Sequence, residues 1–592
     1  MDALQQSHAI PNQADRLQPA RLPLPTISSL SAPAAIPAVP APFYYLDNFL
    51  TVLDWIATRY SSMLITEELA FIDNFRGLPL TSQALLVRMA MRKGELFRAS
   101  KLHYDEIGCP RRAAEPLVAA GWLDDTPLLG VDHLFALLRK DELAAIFDFP
   151  PDLKNARKDL QLAALLEDET LAAEARTLAD WHPDPIADCV YHLRIDALCE
   201  RLRLMFFGNL HQDWSEFVLS ELGIFKYEKV ALSAVSQGFR NRQDIDDYLH
   251  LQLCRERFHG GEAIAELMPA IPAAAYAGDW LENRRAKLLF QIARQHERHG
   301  ELADALRIYA DCPWPDARLR MVRVLERLGQ IAIAFDIAGA AAEAPESEAE
   351  RQQLLRTLPR LRRQLGHAGS PARTARAAAP VTRHDLTLPR PAPHIVVEAL
   401  VRDHLTQHNA PVLYVENTLV NSLFGLLCWE AIFAPVAGAF FHPFQSGPAD
   451  LHSPDFQRRR EREFQACLAQ LDSDDTYRQT ILRNFRDKSG TLSPFVYWDL
   501  LTEQTLTLAL HCLPAAHLRK WFDRLLLDIR TNRSGYPDLI QFWPEQRRYR
   551  MIEVKGPGDR LQDNQIRWLE YCALHDMPVS VCYVQWTQEE AA

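Results

Sequence analysis

The sequence predicts a mainly helical N-terminal part, made of a winged-helix or SAP-like module and TPR-like repeats, followed by a separate α/β domain. Three observations predict it. Helical apolar periodicity with scarce glycine runs almost unbroken through residues 160–366. A stretch rich in Ala, Pro and Arg breaks that pattern over 367–393 and reads as a linker. Beyond it, Gly535–Trp543 and Tyr549–Lys555 read as two strands bounded by breakers and joined by a turn at 544–547.

At 592 residues the chain is too long for one core. Hydrophobic residues at 48% and charged residues at 24% exclude wholesale disorder and a fibrous protein. A net charge of −12 argues against a generally basic nucleic-acid coat, yet it leaves room for a local basic patch. The 65 basic residues divide into 11 Lys and 54 Arg, the bias of a GC-rich bacterial genome. None of the ten cysteines stands in a C-x-x-C pair, and no basic-then-apolar leader opens the chain. The apolar stretch Leu419–Phe441 is interrupted by Asn421, Ser422, Glu430 and Pro435, so a buried helix is expected rather than a membrane span. A reduced, soluble, cytoplasmic protein follows as the expectation.

Taken in order, residues 1–42 are rich in Pro, Ala, Ser and Gln and read as a disordered leader. Residues 43–150 alternate short helices with breaks and form the winged-helix or SAP-like module. Within it, residues 88–112 carry seven basic side chains against three acids, a local +4 in a chain of −12. Arg88, Arg92, Lys93, Arg98 and Lys101 are therefore candidates for contacting DNA phosphates, against the plainer reading of a solvated helix face. A helical connector is expected over 151–260. Residues 261–366 hold two antiparallel helix pairs, Arg285–Tyr309 and Arg318–Ala341, punctuated alike by Gly300 and Gly329. The C-terminal domain, of about 200 residues, is expected from His394 to the end.

Chemistry concentrates in the C-terminal hairpin. Strand alternation puts Glu553 and Lys555 on one face, and Asp538 opens the partner strand. Two carboxylates and an ammonium brought together there are costly unless a metal or a substrate phosphate organises them. Five Pro-Asp pairs occur in the chain, but only Asp538 stands a hairpin's length ahead of an acid-x-Lys triplet. Only three lysines, Lys488, Lys520 and Lys555, follow His394, and one of them completes this pattern.

Glu553-Val-Lys555-Gly-Pro-Gly-Asp559-Arg560-Leu561, with Gln565-Ile-Arg-Trp568-Leu569 after it, resembles the VRR-NUC branch of the PD-(D/E)XK nuclease superfamily. The segment from Glu416 to Phe433 resembles the first helix of that domain in Fanconi-associated nucleases. The order of a basic helical module, helical repeats and nuclease domain is similar to that family over nearly the whole chain after residue 43. The resemblance implies a restriction-endonuclease-like α/β fold for 394–592. It also implies Mg²⁺ or Mn²⁺ held by Glu416, Asp538, Glu553 and the Val554 carbonyl, which suits hard oxygen ligands. Asp538, Glu553 and Lys555 become the catalytic set, with Lys555 orienting water and offsetting transition-state charge, and Gln565 supports the site. For Glu416 the residues alone favour an ordinary acid at a helix N-terminus.

The activity implied is incision of branched DNA bearing a 5′ flap, with 5′-to-3′ trimming, in repair of interstrand crosslinks. Alternatives are a Holliday-junction resolvase and a helical-repeat scaffold with an inactive nuclease domain. Weaker candidates are His296-Glu297-Arg298-His299, one residue short of a zinc motif, the trio His442, Asp450 and His452, and the basic run Arg458–Arg460. No P-loop, G-x-G-x-x-G or G-x-S-x-G occurs, so no nucleotide cofactor or serine nucleophile is expected.

Overall fold

A computed structural model describes residues 42–182, 188–212, 225–233, 236–366, 381–392, 395–473 and 475–587. The expected leader, apart from Pro42, lies outside the described residues. The first helix, Tyr44–Arg59, buries Tyr45, Leu46, Phe49, Val52, Leu53 and Ile56. That spacing lays one apolar stripe against the core. Pro110 opens the Pro110–Ala119 helix, where its missing N–H costs nothing.

A small antiparallel sheet completes this module. Its strands β1 (Leu96–Arg98), β2 (Leu123–Asp124) and β3 (Val190–Leu193) run in the order β1-β3-β2. The middle strand comes from beyond residue 150, so the expected boundary between 43–150 and 151–260 is corrected. After β2 the chain forms a second apolar cluster around Leu134, Phe135, Phe147, Phe149, Leu178 and Trp181, and then returns as β3. Strands of two to four residues carry too little alternation to be seen in sequence.

Arg98 fastens these two clusters together. It is 8% exposed, donates to both Glu142 oxygens at 2.8 Å, and donates to Asp188 at 2.8 Å. The hydrogen bonds from Arg98 hold the Glu142 carboxyl down at about 2.

The repeat region is a stack of helices: Asp279–His299, Leu302–Ala310, Ala317–Arg327, Ile331–Glu343 and Glu348–Gln364. Gly300 (φ 83°) and Gly329 (φ 75°) close two of these helices in the left-handed conformation that glycine adopts without strain. Glu297 is 7% exposed, accepts from the Tyr309 hydroxyl at 3.1 Å, and faces Arg320, Arg323 and Arg327 within 4 Å. The short His-Glu-Arg-His run thus supplies an internal ion cluster, not a zinc ligand set.

The C-terminal sheet has the order β4-β8-β7-β6-β5, with β4 Thr382–Leu388, β5 Val412–Tyr414, β6 Leu539–Trp543, β7 Arg548–Lys555 and β8 Val579–Trp586. β5, β6 and β7 are antiparallel neighbours, whereas β7 and β4 both run parallel to β8. This corrects the linker expected over 367–393: its later part, β4, covers the edge of β8. An edge strand exposed along much of its length alternates too weakly to stand out against Ala- and Pro-rich neighbours. Every residue of the Leu419–Leu427 helix is buried, so the apolar stretch is core. Among the described residues, no helix is long and apolar enough to cross a membrane.

The two halves are tied at several points. Glu228 accepts from Trp429 Nε1 at 3.0 Å and from Lys488 Nζ at 2.8 Å. Arg356 pairs with Asp563 at 2.7 Å, and Arg567 donates to Gln352 at 2.7 Å.

A depressed folded-state pKa makes the Glu142 contact fully stabilising above the ordinary carboxylate value of 4.5, and the contribution is lost as pH falls toward 2. Glu142→Gln is expected to flatten the acid limb of the melting-temperature profile between those values. Arg98→Ala, which strands two partly buried carboxylates, is expected to cost about 3 kcal/mol, read from the urea midpoint.

Candidate active site

The register of β6 and β7 builds the site. Leu539 pairs with Ile552, so one step further Asp538 stands across from Glu553. An Asp538 oxygen accepts the Val554 backbone N–H at 2.7 Å, while the Asp538 carbonyl accepts the Val415 N–H at 2.8 Å. Glu553 is fully buried, and its Oε1 lies 2.7 Å from Lys555 Nζ. Neither Glu553 oxygen accepts a directed hydrogen bond. Lys555 is 8% exposed on the same strand face.

Glu416 comes from a different element. It lies in the turn between β5 and the Leu419–Leu427 helix, with Tyr414 Oη donating to its Oε2 at 2.5 Å and Asn417 Nδ2 donating to its Oε1 at 3.1 Å. Asn417 holds φ at +53°, and its Oδ1 accepts the N–H groups of Gly535 and Tyr536 at 2.8 and 3.2 Å. The turn that carries Glu416 is therefore fastened to the loop that carries Asp538.

The electrostatics follow from burying like charges together. Burial, then the charge of nearby Glu416, pushes the Asp538 carboxyl up to about 6 against the pull of the Val554 N–H. Burial, then Asp538, pushes Glu553 up to about 8, against the pull of Lys555. Buried carboxylate oxygens without directed donors, all hard ligands, form a donor set that fits a divalent cation. Among the described residues, no three His, Cys, Asp or Glu side chains already converge on one point.

The other expected residues are distributed differently. Gln565 spends its side-chain oxygen on the Gln562 N–H at 2.9 Å, capping the Asp563–Leu574 helix. Val554 places its side chain in the core between β7 and the Val397–Leu405 helix. Arg98 is corrected as a DNA contact, because Glu142 and Asp188 occupy its guanidinium inside the module. Arg88 pairs with Glu106 at 2.6 Å and lies 3.8 Å above the Tyr45 ring. Arg92, Lys93 and Lys101 are exposed and line a hollow of about 320 Å³. His442 is buried beside Phe206 while Asp450 pairs with Arg459 and fully buried Arg460, so His442, Asp450 and His452 make no metal site.

One feature escaped sequence reasoning. A cleft of about 1220 Å³ between the repeat helices and the nuclease domain is lined by Arg255, Arg284, Lys287 and Arg530 together with acids such as Asp279, Asp316 and Glu346, with Trp314 in its wall. Burial, then Arg255, Arg530 and Arg284, pulls the Lys287 ammonium down from its ordinary value. Arg284 is lowered by burial and by Arg255, against the pull of Tyr248. Cations that repel one another in a half-closed cleft are relieved by an anion. Arg530 sits on the Ile529–Asn532 turn of helix, ahead of Asp538 in the chain.

Residues 43–124 match the family described as FAN1, HTH domain, residues 128–181 the Fanconi anemia-associated nuclease SAP domain, and residues 472–586 the VRR-NUC domain. The Fanconi-associated nuclease 1 homolog of Pseudomonas aeruginosa is 57% identical over 555 residues, spanning 94% of this chain and 98% of that protein. The chain belongs to the Fanconi-associated nuclease family. It is accordingly a structure-specific DNA nuclease, and divalent-metal dependence is general to the VRR-NUC family. Human Fanconi-associated nuclease 1 is 23% identical over 678 residues, spanning 96% of this chain and 64% of that protein. A crystal structure of paFAN1 bound to 2nt 5′-flap DNA with a gap has a TM-score of 0.86 at 56% identity, covering 94% of this chain and all of that one. The separate HTH and SAP matches divide what was expected as one module, in keeping with the two apolar clusters.

A raised carboxyl opposes folding as pH climbs from the ordinary 4.5 through about 8, because the unfolded chain has lost its proton while the folded state keeps it, so folding takes up a proton that grows scarcer. Without divalent cations, Glu553→Gln is expected to melt above the parent at pH 8 and to lose that advantage at pH 4. Thermal melting in chelator at both pH values reads it.

Proposed function

We propose that this nuclease incises branched DNA beside a 5′ flap and trims it 5′-to-3′, in repair of interstrand crosslinks. The single observation that carries the reading is the opposed pair Asp538 and Glu553, with Lys555 at 2.7 Å from Glu553. Their setting in a fold shared with paFAN1, which is bound to 5′-flap DNA in its crystal structure, supplies the substrate class. The place of action is the cytoplasm, on nucleoid DNA.

Glu416, Asp538, Glu553 and the Val554 carbonyl would hold Mg²⁺ or Mn²⁺, with Glu416 drawing in toward Asp538 to close the set. The bound ion supplies water activation and charge neutralisation at the scissile phosphate. Asp538, pinned by the Val554 N–H, fixes one edge of the reacting group. Glu553, sealed from solvent, contributes a charge whose field is weakly screened. Lys555 projects from the same strand face, where its ammonium orients the attacking water and balances charge on the phosphate oxygens.

The grip on DNA falls to residues outside the hairpin. From His394 on, 20 basic residues face 25 acidic ones, so the nuclease domain is net −5. Arg255, Arg284 and Lys287 of the helical part, with Arg530, which line one cleft, would neutralise backbone phosphates of the bound DNA. Arg92, Lys93 and Lys101 offer a second phosphate contact on the N-terminal module.

The test is cleavage of matched 5′-flap, 3′-flap, four-way-junction and linear duplex DNAs in Mg²⁺ and in Mn²⁺. Cutting of the 5′ flap that vanishes in Asp538→Ala, Lys555→Ala and chelator is the expected outcome. Cutting of the four-way junction alone would establish a resolvase instead, and no cutting by folded, metal-loaded protein a scaffold. Arg284→Ala and Lys287→Ala are each expected to weaken flap binding and to reduce the slope of log K against log salt by about 1.

A further inference from the structure

We infer that Asn417 is a positioning residue that sets the Glu416 carboxylate against Asp538. The inference rests on the reading of Glu416 as a metal ligand and goes beyond it, since Asn417 would touch neither ion nor DNA. Its side chain is spent on both sides of the site. Nδ2 donates to Glu416 Oε1 at 3.1 Å, and Oδ1 accepts from the N–H groups of Gly535 and Tyr536. Those two amides lie immediately ahead of Pro537 and Asp538. One planar amide therefore spans from one carboxylate to the loop of the other.

The backbone is arranged to make this possible. Asn417 sits at φ +53°, a left-handed conformation unfavourable for most side chains and tolerated by Asn. Its carbonyl accepts from Asn421 Nδ2 at 2.7 Å, and that nitrogen also donates to the Arg533 carbonyl at 2.9 Å. Asn421 is 1% exposed, so this second clasp is shielded from water. Gly535 admits no side chain, because an added Cβ would stand 2.9 Å from the Asn564 backbone. The loop thus has little room to shift away from Asn417.

A bond to one Glu416 oxygen leaves lone pairs on both oxygens for a cation. What the Asn417 bond removes is rotational freedom. Asp538 and Glu553 are fixed by strand register, whereas Glu416 hangs from a turn and needs a separate restraint. Removing a partner that orients a metal-bound carboxylate ordinarily costs about 10–100-fold in affinity.

The experiment is calorimetric titration of the full chain with Mn²⁺ alone, without DNA, for the parent, Asn417→Gly, Asn417→Asp and Glu416→Gln. Gly tolerates the left-handed turn and removes the whole side chain. Asp keeps the acceptor for Gly535 and Tyr536 and turns the donation to Glu416 into repulsion. A 10–100-fold weaker Mn²⁺ affinity is expected in both Asn417 variants, with the metal-free melting temperature of Asn417→Asp close to the parent's. Flap cleavage by Asn417→Gly is expected to recover toward the parent's rate at saturating Mn²⁺. If both variants bind Mn²⁺ within twofold of the parent while Glu416→Gln loses it, the positioning role falls and the ligand reading stands. If Glu416→Gln also binds like the parent, both fall.

Discussion

The alignment of β6 with β7 is the constraint on which the rest of this molecule depends. Pairing Leu539 with Ile552 sets Asp538 across from Glu553, and a slip of one residue would turn Glu553 and Lys555 to the opposite face. That slip is forbidden by packing, because Phe542, Met551 and Tyr549 fill one core and Ile552 and Val554 fill another. Apolar burial on both faces therefore fixes the position of two acids that electrostatics alone would drive apart. Burial, and the repulsion that Lys555 leaves uncompensated, raise both carboxyl pKa values. A charge arrangement this unfavourable persists where function requires it.

The second organising feature is a group of mutually repelling cations in the cleft. The cleft wall holds acids as well, Asp279, Asp316 and Glu346 among them, but Arg255, Arg284 and Lys287 stand together on the helical part. Each group is uncomfortable alone: burial, then neighbouring arginines, pulls Lys287 down, and burial, then a neighbouring carboxylate, pushes Glu553 up. A phosphodiester together with a divalent cation relieves both groups at once. The ties through Glu228, Arg356 and Arg567 join the halves that wall the cleft.

How much of this was legible in the sequence differs residue by residue. The hairpin was readable because Gly535, Pro537 and Gly556 bound two alternating runs and the turn carries Pro544. The repeat helices were readable through Gly300 and Gly329. β4 was hidden, because its partner β8 lies almost two hundred residues away and its exposed face looks like linker. β3 was hidden for a different reason, being four residues long. Charge counting singled out residues 88–112, but it cannot tell a free cation from an internal one: Arg98 and Arg88 proved to be spent on Glu142, Asp188 and Glu106. The cleft was invisible because its arginines and lysine come from three separate segments in a chain with 54 arginines.

Glu416 was the weakest reading among the carboxylates, and the reason is structural. Asp538 and Glu553 announce themselves by position on strands, where a two-residue period fixes which way a side chain points. A turn has no such period, so nothing local distinguishes a ligand there from an acid at a helix start. The same lack of periodicity leaves Glu416 the least buried of the three carboxylates and the most dependent on neighbours for its direction. Sheet register supplies rigidity to two of the carboxylates. The third needs hydrogen bonds from Tyr414 and Asn417 to hold its direction. A site made of two acids set by the sheet and one set by side-chain hydrogen bonds depends on those bonds for its geometry, as three acids on one pair of strands would not.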